Sequence, residues 1–237
     1  MDIKLSHAGS YTIILAKIPA SCYSKSMHMV CLDLEGVLVP EIWIAFSEAT
    51  KIPELRRTTR DEPDYDKLMR FRLDLLAKNN LKLNDIQRVI SGMDPLPGAL
   101  EFVNALREQT QLVVLSDTFE QFAKPLMAKL GWPCLLCNTL ETGPGGEVTG
   151  YRLRQKNGKM EAVKAFKSLN INVFAAGDSF NDLAMIREAD SGCLFRAPEA
   201  IRKDHADIPC VDAFDDLLTS LSPPTPASCA CYMKYRS

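Results

Sequence analysis

Five short apolar runs, "MVCL" (29–32), "LVVL" (112–115), "CLLC" (134–137), "NVFAA" (172–176) and "GCLF" (192–195), are separated mostly by longer stretches that are apolar at helical spacing. Runs this short read as strands buried on both faces. The intervening "ALEFVNALREQ" (99–109), "FAKPLMAKLG" (122–131, despite Pro125), "KMEAVKAFKSL" (159–169) and "NDLAMIREA" (181–189) repeat their apolar residues every three or four positions, as amphipathic helices do. Strand alternating with helix predicts an α/β fold with a parallel sheet covered on both faces.

Residues 40–97 break the rhythm. "EIWIAFSEATKI", "DYDKLMRFRLDLLAKN" and "KLNDIQRVISGM" read as helices with no strand among them, and "DPLPG" (94–98) marks the return. We expect a helical insert there, too small and too connected to be a free domain. The core is then 27–39 together with 98–221. "LETGPGGEVTGYRL" (140–153) reads as a hairpin or exposed loop from its glycines. The competing reading, a glycine-rich phosphate loop, lacks a lysine-serine ending and a helix directly after it.

Composition narrows the function classes. Of 237 residues 46% are apolar and 24% charged, enough for a core without metal or disulfide staples. The net charge of −2, with no basic block, gives no electrostatic footprint for nucleic acid or an anionic membrane. No apolar run approaches the roughly 20 residues of a membrane span. "YTIILAKIPASC" is interrupted by lysine and follows no basic start, so it is a weak signal peptide, and 1–26 lack the arginine of a transit peptide. Residues 1–26 are expected to be an extension, with Met27 and Met29 as alternative starts, and the Pro/Ser-rich 222–237 a disordered tail. The "CLLC" at 134–137 has no second pair or histidine cluster, so buried strand thiols are favoured over a metal or redox site. Reduced thiols suit a cytoplasmic protein.

Open parallel sheets bind ligands at the carboxyl ends of their strands. The first run leads into Asp33 and Glu35, the second into Ser116, Asp117 and Thr118, and the fourth into Gly177, Asp178, Asn181 and Asp182. Lys159 opens a helix after "QKNG". Any one of these is more ordinarily a turn residue or helix cap. Together they predict an active site at one sheet edge. Asp33 and Asp178 suit a hard cation such as Mg²⁺. A carboxylate beside that cation is a competent nucleophile for phosphorus. Lys159 and Ser116 suit phosphate oxygens, and Glu35 can protonate a leaving oxygen and then deprotonate the next acceptor.

"DLEGVLVPE", "LSDT", "GK" at 158–159 and "GDSFND" resemble the four motifs of the haloacid-dehalogenase superfamily. Within it, "DLEGVLVPEIWIAF", "TTRDEPDYDKLM", "LSDTF", "YRLRQK" and "AAGDSFND" are similar to the phosphoserine–homoserine phosphotransferases of the phosphoserine phosphatase branch, over roughly residues 27–216. The resemblance implies a Rossmann-like core with a C1 cap at 40–97, Mg²⁺, and an aspartyl-phosphate on Asp33. It implies metal binding by Asp33 and Asp178 side chains and the Glu35 carbonyl, supported by Asp182. Ser116 and Lys159 would hold the phosphoryl group, and Asn181 and Asp117 would contact substrate or line its pocket. Glu41 and Arg72 stand where the branch reads the amino-acid end of the substrate. Physically, Arg72 offers a forked partner for a carboxylate and Glu41 a partner for an ammonium. Without the resemblance they read as a helix-end charge and a solvated helix face.

The expected substrate is O-phospho-L-serine, with water or L-homoserine as acceptor, and the resemblance also implies a homodimer. The alternative is a phosphatase for another small phosphomonoester. A silent binding module has no use for both a nucleophile and a proton shuttle, and a dehalogenase has none for a metal site and an acid. Glu35 departs from the aspartate of most superfamily phosphatases, and the phosphotransferase subgroup shares that departure. The insert is expected to close over the site, with substrate raising amide-exchange protection across 40–97.

Overall fold

The computed structural model describes residues 27–59, 61, 62 and 64–221; the readings of 1–26 and 222–237 fall outside them. Strand β1 (His28–Leu32) is followed by three helices, α1 (Ile42–Thr50), α2 (Tyr65–Lys78) and α3 (Leu83–Ser91). The chain then runs α4 (Ala99–Gln109), β2 (Gln111–Phe119), α5 (Glu120–Lys129), β3 (Cys134–Thr142), β4 (Val148–Arg152), α6 (Gly158–Ser168) and β5 (Asn172–Gly177). It closes with α7 (Leu183–Glu188), β6 (Ser191–Phe195), α8 (Glu199–Asp204), β7 (Cys210–Val211) and α9 (Phe214–Ser220).

One sheet has the order β4-β3-β2-β1-β5-β6-β7. All neighbours are parallel except β3 and β4, which form the hairpin expected from the glycines of 140–153. The five expected strands are present. β4 is the return strand of that hairpin, and the two-residue β7 is additional, too short to give a periodic signal. β1 is central, and the chain builds outward on its β2 side before crossing to β5. Such a reversal opens a crevice at the carboxyl ends of the strands.

Alternating strand residues divide between two cores. Val30, Leu32, Leu112 and Val114 face one helical layer, with Phe102, Val103 and Leu106 of α4 and Phe122 and Leu126 of α5. Cys31, Val113, Leu115 and Val173 face the other, with Val163 of α6, Met185 of α7 and Ile201 of α8. Among the described residues the insert forms no separate buried cluster. Trp43 and Phe46 of α1, Met69 and Leu76 of α2 and Ile86 and Ile90 of α3 join the first cluster, and Trp43 meets Phe122 edge-to-face at 5.6 Å.

Two local expectations are corrected. The second strand does not stop at Leu115: β2 pairs β3 through Leu115↔Leu136 and again at Phe119↔Asn138, with a register shift between. Ser116–Thr118 lie opposite the single Cys137, so β2 carries two extra residues there and bulges, as strands near active sites do. In "CLLC", Cys134 is exposed and Cys137 only partly buried; both are free thiols. The first of these starts β3 at the solvent end, so a residue in an apolar run can still face water. No helix among the described residues is long and apolar enough to cross a membrane.

Candidate active site

Asp33 follows β1, its backbone N–H donating to the Ala176 carbonyl of β5 at 3.0 Å. Its side chain is buried, with Oδ1 accepting from the Leu34 N–H at 2.7 Å and lying 2.8 Å from Lys159 Nζ. Lys159, in the first turn of α6, is also buried and stands 2.6 Å from Asp182 Oδ1 and 3.9 Å from Asp117 Oδ2. Burial alone would discharge this ammonium. The Asp182, Asp33 and Asp117 carboxylates more than reverse that and hold its pKa well above the usual lysine range.

Asp182 is fully buried and both its oxygens are engaged. Oδ1 faces Lys159, and Oδ2 accepts from the Asp178 N–H, the Ser179 N–H and the Ser179 hydroxyl at 3.0–3.1 Å. It therefore braces the turn after β5. Two glycines permit this crowding. A Cβ on Gly177 would lie 2.3 Å from Asp182 Cγ. Gly36 has φ +79°, and a Cβ there would lie 2.6 Å from Asp178 Cγ. The glycine after Glu35 thus lets the loop following β1 approach the acid following β5.

Asp33, Asp178 and Asp182 present carboxylate oxygens within 4.8 Å of one another, all buried. Burial first, then Asp182 and Asp178, raise the Asp33 pKa well above the carboxylate range, with Lys159 opposing. Three carboxyl groups crowd one ammonium at the floor of the cleft, and a cation would relieve the repulsion that raises Asp33: a donor set that fits a small hard dication such as Mg²⁺.

Glu35 turns toward the insert. Its Oε2 accepts from the Ile42 N–H, the first amide of α1, at 2.9 Å. Burial, then the neighbouring Glu41, push its pKa to about 7, with the Ile42 N–H and Arg72 among the groups opposing. That value suits proton transfer in either direction near neutrality. Glu41 sits at the start of α1 without capping it through its side chain. Arg72 is buried, its guanidinium 4.4 Å from the Trp43 ring and Nη2 donating to the Arg57 carbonyl at 2.8 Å. Its Nε is buried with no partner among the described atoms. Burial lowers its pKa to about 10, with Glu35, Tyr65 and Glu41 opposing, so it stays charged.

At the β2 bulge, Ser116 is buried, its Oγ accepting from the Thr118 N–H at 3.2 Å. Asp117 is half-exposed and accepts from Asn181 Nδ2 at 2.8 Å. One pocket is lined by Asp33, Glu35, Glu41, Arg72, Ser116, Asp117, Lys159, Asp178 and Asn181. Every residue given a chemical role in the sequence therefore lines this pocket except Asp182, which lies behind Lys159 and the turn after β5. Sequence reasoning assigned no site role to Tyr65, Trp43 and Thr118, which also line it. Tyr65 donates to the Asp117 carbonyl at 3.0 Å. An aromatic residue in an amphipathic helix carries no local sign that it faces a pocket rather than a core. Arg196, at the end of β6, lies outside the pocket; its guanidinium packs over Phe195 and Phe214.

The haloacid dehalogenase-like hydrolase family matches residues 33–187. The chain is 56% identical over 191 residues to the phosphoserine phosphatase ThrH of Pseudomonas aeruginosa, covering 81% of this chain and 93% of that protein. It is 55% identical over 192 residues to a phosphoserine phosphatase of Pseudomonas syringae pv. tomato, covering 81% of each. Among solved structures, an apo phosphoserine phosphatase superposes with a TM-score of 0.69 at 22% identity, covering 83% of this chain and all of that one. That likeness shows the fold. The strand order, the acids at the strand ends and these matches place the chain in the haloacid dehalogenase-like hydrolase family.

Proposed function

We propose that the chain is an Mg²⁺-dependent phosphoserine phosphatase that works through an aspartyl-phosphate on Asp33 and passes the phosphoryl group to water or to L-homoserine. One observation carries the reading: Asp33, Glu35 and Lys159, side chains suited to attack, proton transfer and phosphate binding, line one pocket with the buried Arg72. The identity to phosphoserine phosphatases over most of the chain supports the substrate.

Asp33, Asp178 and the Glu35 carbonyl would hold the metal, with Asp182, whose oxygens are both engaged, bracing Asp178 and Lys159. When bound, Mg²⁺ supplies positive charge that keeps Asp33 ionised and offsets charge on the phosphoryl oxygens. Asp33 Oδ1 is held by Leu34 and Lys159, which leaves Oδ2 to attack phosphorus. The ester P–O bond breaks, and Glu35 gives its proton to the leaving serine oxygen. Glu35 then takes a proton from the incoming hydroxyl, whose oxygen attacks phosphorus as the Asp33–phosphorus bond breaks. Lys159, Ser116 and Asn181 hold the transferring group. Arg72 pairs with the substrate carboxylate and Glu41 with its ammonium. Residues 40–97 act as the cap over a core of 27–39 and 98–221. The reading extends to a homodimer, as the family resemblance implies, and to a cytoplasmic enzyme, as the free thiols suggest.

The test is incubation with O-phospho-L-serine and Mg²⁺, with and without L-homoserine, measuring phosphate and O-phosphohomoserine together. Phosphohomoserine formed at the expense of phosphate supports transfer; phosphate alone supports hydrolysis only. Neither product, or undiminished turnover by Asp33→Asn, overturns the reading.

A further inference from the structure

Tyr151 of β4 does not line the pocket, yet it fastens the helix that carries Arg72. Its hydroxyl donates to Asp66 Oδ1 in the first turn of α2 at 2.6 Å. Its ring meets Tyr65 edge-to-face at 5.8 Å and Phe119 of β2 at 6.2 Å. Tyr65 in turn donates to the Asp117 carbonyl at 3.0 Å. The first turn of α2 is thereby tied to β4 and to the β2 bulge. Arg72 lies seven residues after Tyr65, two turns on and on the same helix face. Tyr65 and Arg72 accordingly both line the pocket. The hairpin tip fastens the insert a second time, where the Leu83 N–H donates to the Gly146 carbonyl at 2.9 Å and Lys82 pairs with Glu147.

We infer that Tyr151 is a positioning residue that sets the preference of the site for carboxylate-bearing phosphomonoesters, by latching α2 so that Arg72 stands at a fixed depth from Asp33. The inference rests on the reading of Arg72 as the carboxylate partner. A rigid element two turns long transmits a shift at Asp66 directly to the guanidinium. The Arg57 carbonyl and the Trp43 ring orient that group; Trp43 rests on Phe122 of α5 and fixes the direction of the guanidinium, while the latch fixes the register of α2 along the sheet. A substrate without a carboxylate makes no use of this register and is indifferent to the latch.

The experiment measures kcat and KM for O-phospho-L-serine and for O-phosphoethanolamine, which keeps the phosphate and ammonium and lacks the carboxylate. Tyr151→Phe removes only the hydroxyl. It should lower kcat/KM for O-phospho-L-serine about fivefold, chiefly through KM, within the range that an ordinary intramolecular hydrogen bond contributes. Turnover of O-phosphoethanolamine should stay within about twofold. Asp66→Ala should behave alike, and Asp66→Asn, which keeps an acceptor, should restore most of the preference. In an Arg72→Ala background Tyr151→Phe should cost nothing further. Equal losses on both substrates, no loss on either, or a full additional loss in the Arg72→Ala background would each overturn the latch. If Arg72→Ala itself leaves the preference intact, the reading of Arg72 fails, and the latch with it. If Arg72→Ala abolishes the preference and Tyr151→Phe does not alter it, the latch alone fails.

Discussion

Glu35 Oε2 accepts a hydrogen bond from the Ile42 N–H at 2.9 Å, so the proposed proton shuttle is tied to the first amide of α1. An aspartate at position 35 would be one methylene shorter and would hold its carboxyl farther from that amide on the same backbone. The glutamate therefore reaches across the boundary between strand end and insert. Glu35→Gln keeps the size and removes the proton. Its turnover of O-phospho-L-serine should fall about 10²–10⁴-fold. With p-nitrophenyl phosphate, whose leaving group needs no proton, stopped flow should show one enzyme equivalent of nitrophenolate released quickly and then slow turnover. Absence of that burst, with both steps slowed together, would argue against Glu35 as the shuttle.

Lys159 is the ammonium among Asp33, Asp182 and Asp117. Lys159→Met leaves the buried acids without it and should destabilise the metal-free protein by about 3–5 kcal/mol. Binding to the folded state alone raises stability with ligand concentration. Thermal unfolding in chelator and in increasing Mg²⁺ should therefore show a larger Mg²⁺-dependent gain for the variant than for the wild type. An equal gain would mean that lysine and cation do not answer the same charge.

Gly36 combines φ +79° with an approach to Asp178 that a Cβ would bring to 2.6 Å. Gly36→Ala is strained on both counts. It should cost about 1–3 kcal/mol of stability and weaken Mg²⁺ binding by displacing Asp178, read by denaturant unfolding and by calorimetric titration of the metal. Wild-type metal affinity in a folded variant would show that Asp178 tolerates the displacement.

The protein has two tryptophans, Trp43 in the insert and Trp132 after α5. Since the insert shares its buried cluster with the sheet, insert and core should unfold together. Urea titrations of Trp43→Phe and Trp132→Phe, each followed by the remaining indole, should give coincident transitions once normalised to each variant's own circular-dichroism curve. A separate, earlier transition reported by Trp43 would mean that the insert is an independent unit.

The periodicities of the chain were enough to specify strands, helices and their alternation, because both periods are local properties of the backbone. The acids at strand ends were legible for the same reason: once a strand is recognised, parallel pairing sends its C-terminal end to the ligand edge. Asp33, Ser116, Lys159 and Asp178 thus needed little more than their positions after apolar runs or at a helix start. Glu41 and Arg72 were legible through a resemblance, since a charge on an amphipathic helix does not announce what it faces.

Tertiary structure decided the rest. The bulge that pushes Ser116–Thr118 into the pocket arises from a mismatch between β2 and β3, which neither strand shows alone. Asp182 loses both oxygens to Lys159 and the turn after β5, and becomes a brace although it is an acid like the others. Tyr65, Trp43 and Tyr151 acquire roles only where α1, α2 and the hairpin meet the sheet. These contacts join residues as many as 86 positions apart, as Tyr65 and Tyr151 are. A pattern read over one or two turns of chain holds no record of such a pair; packing alone creates it.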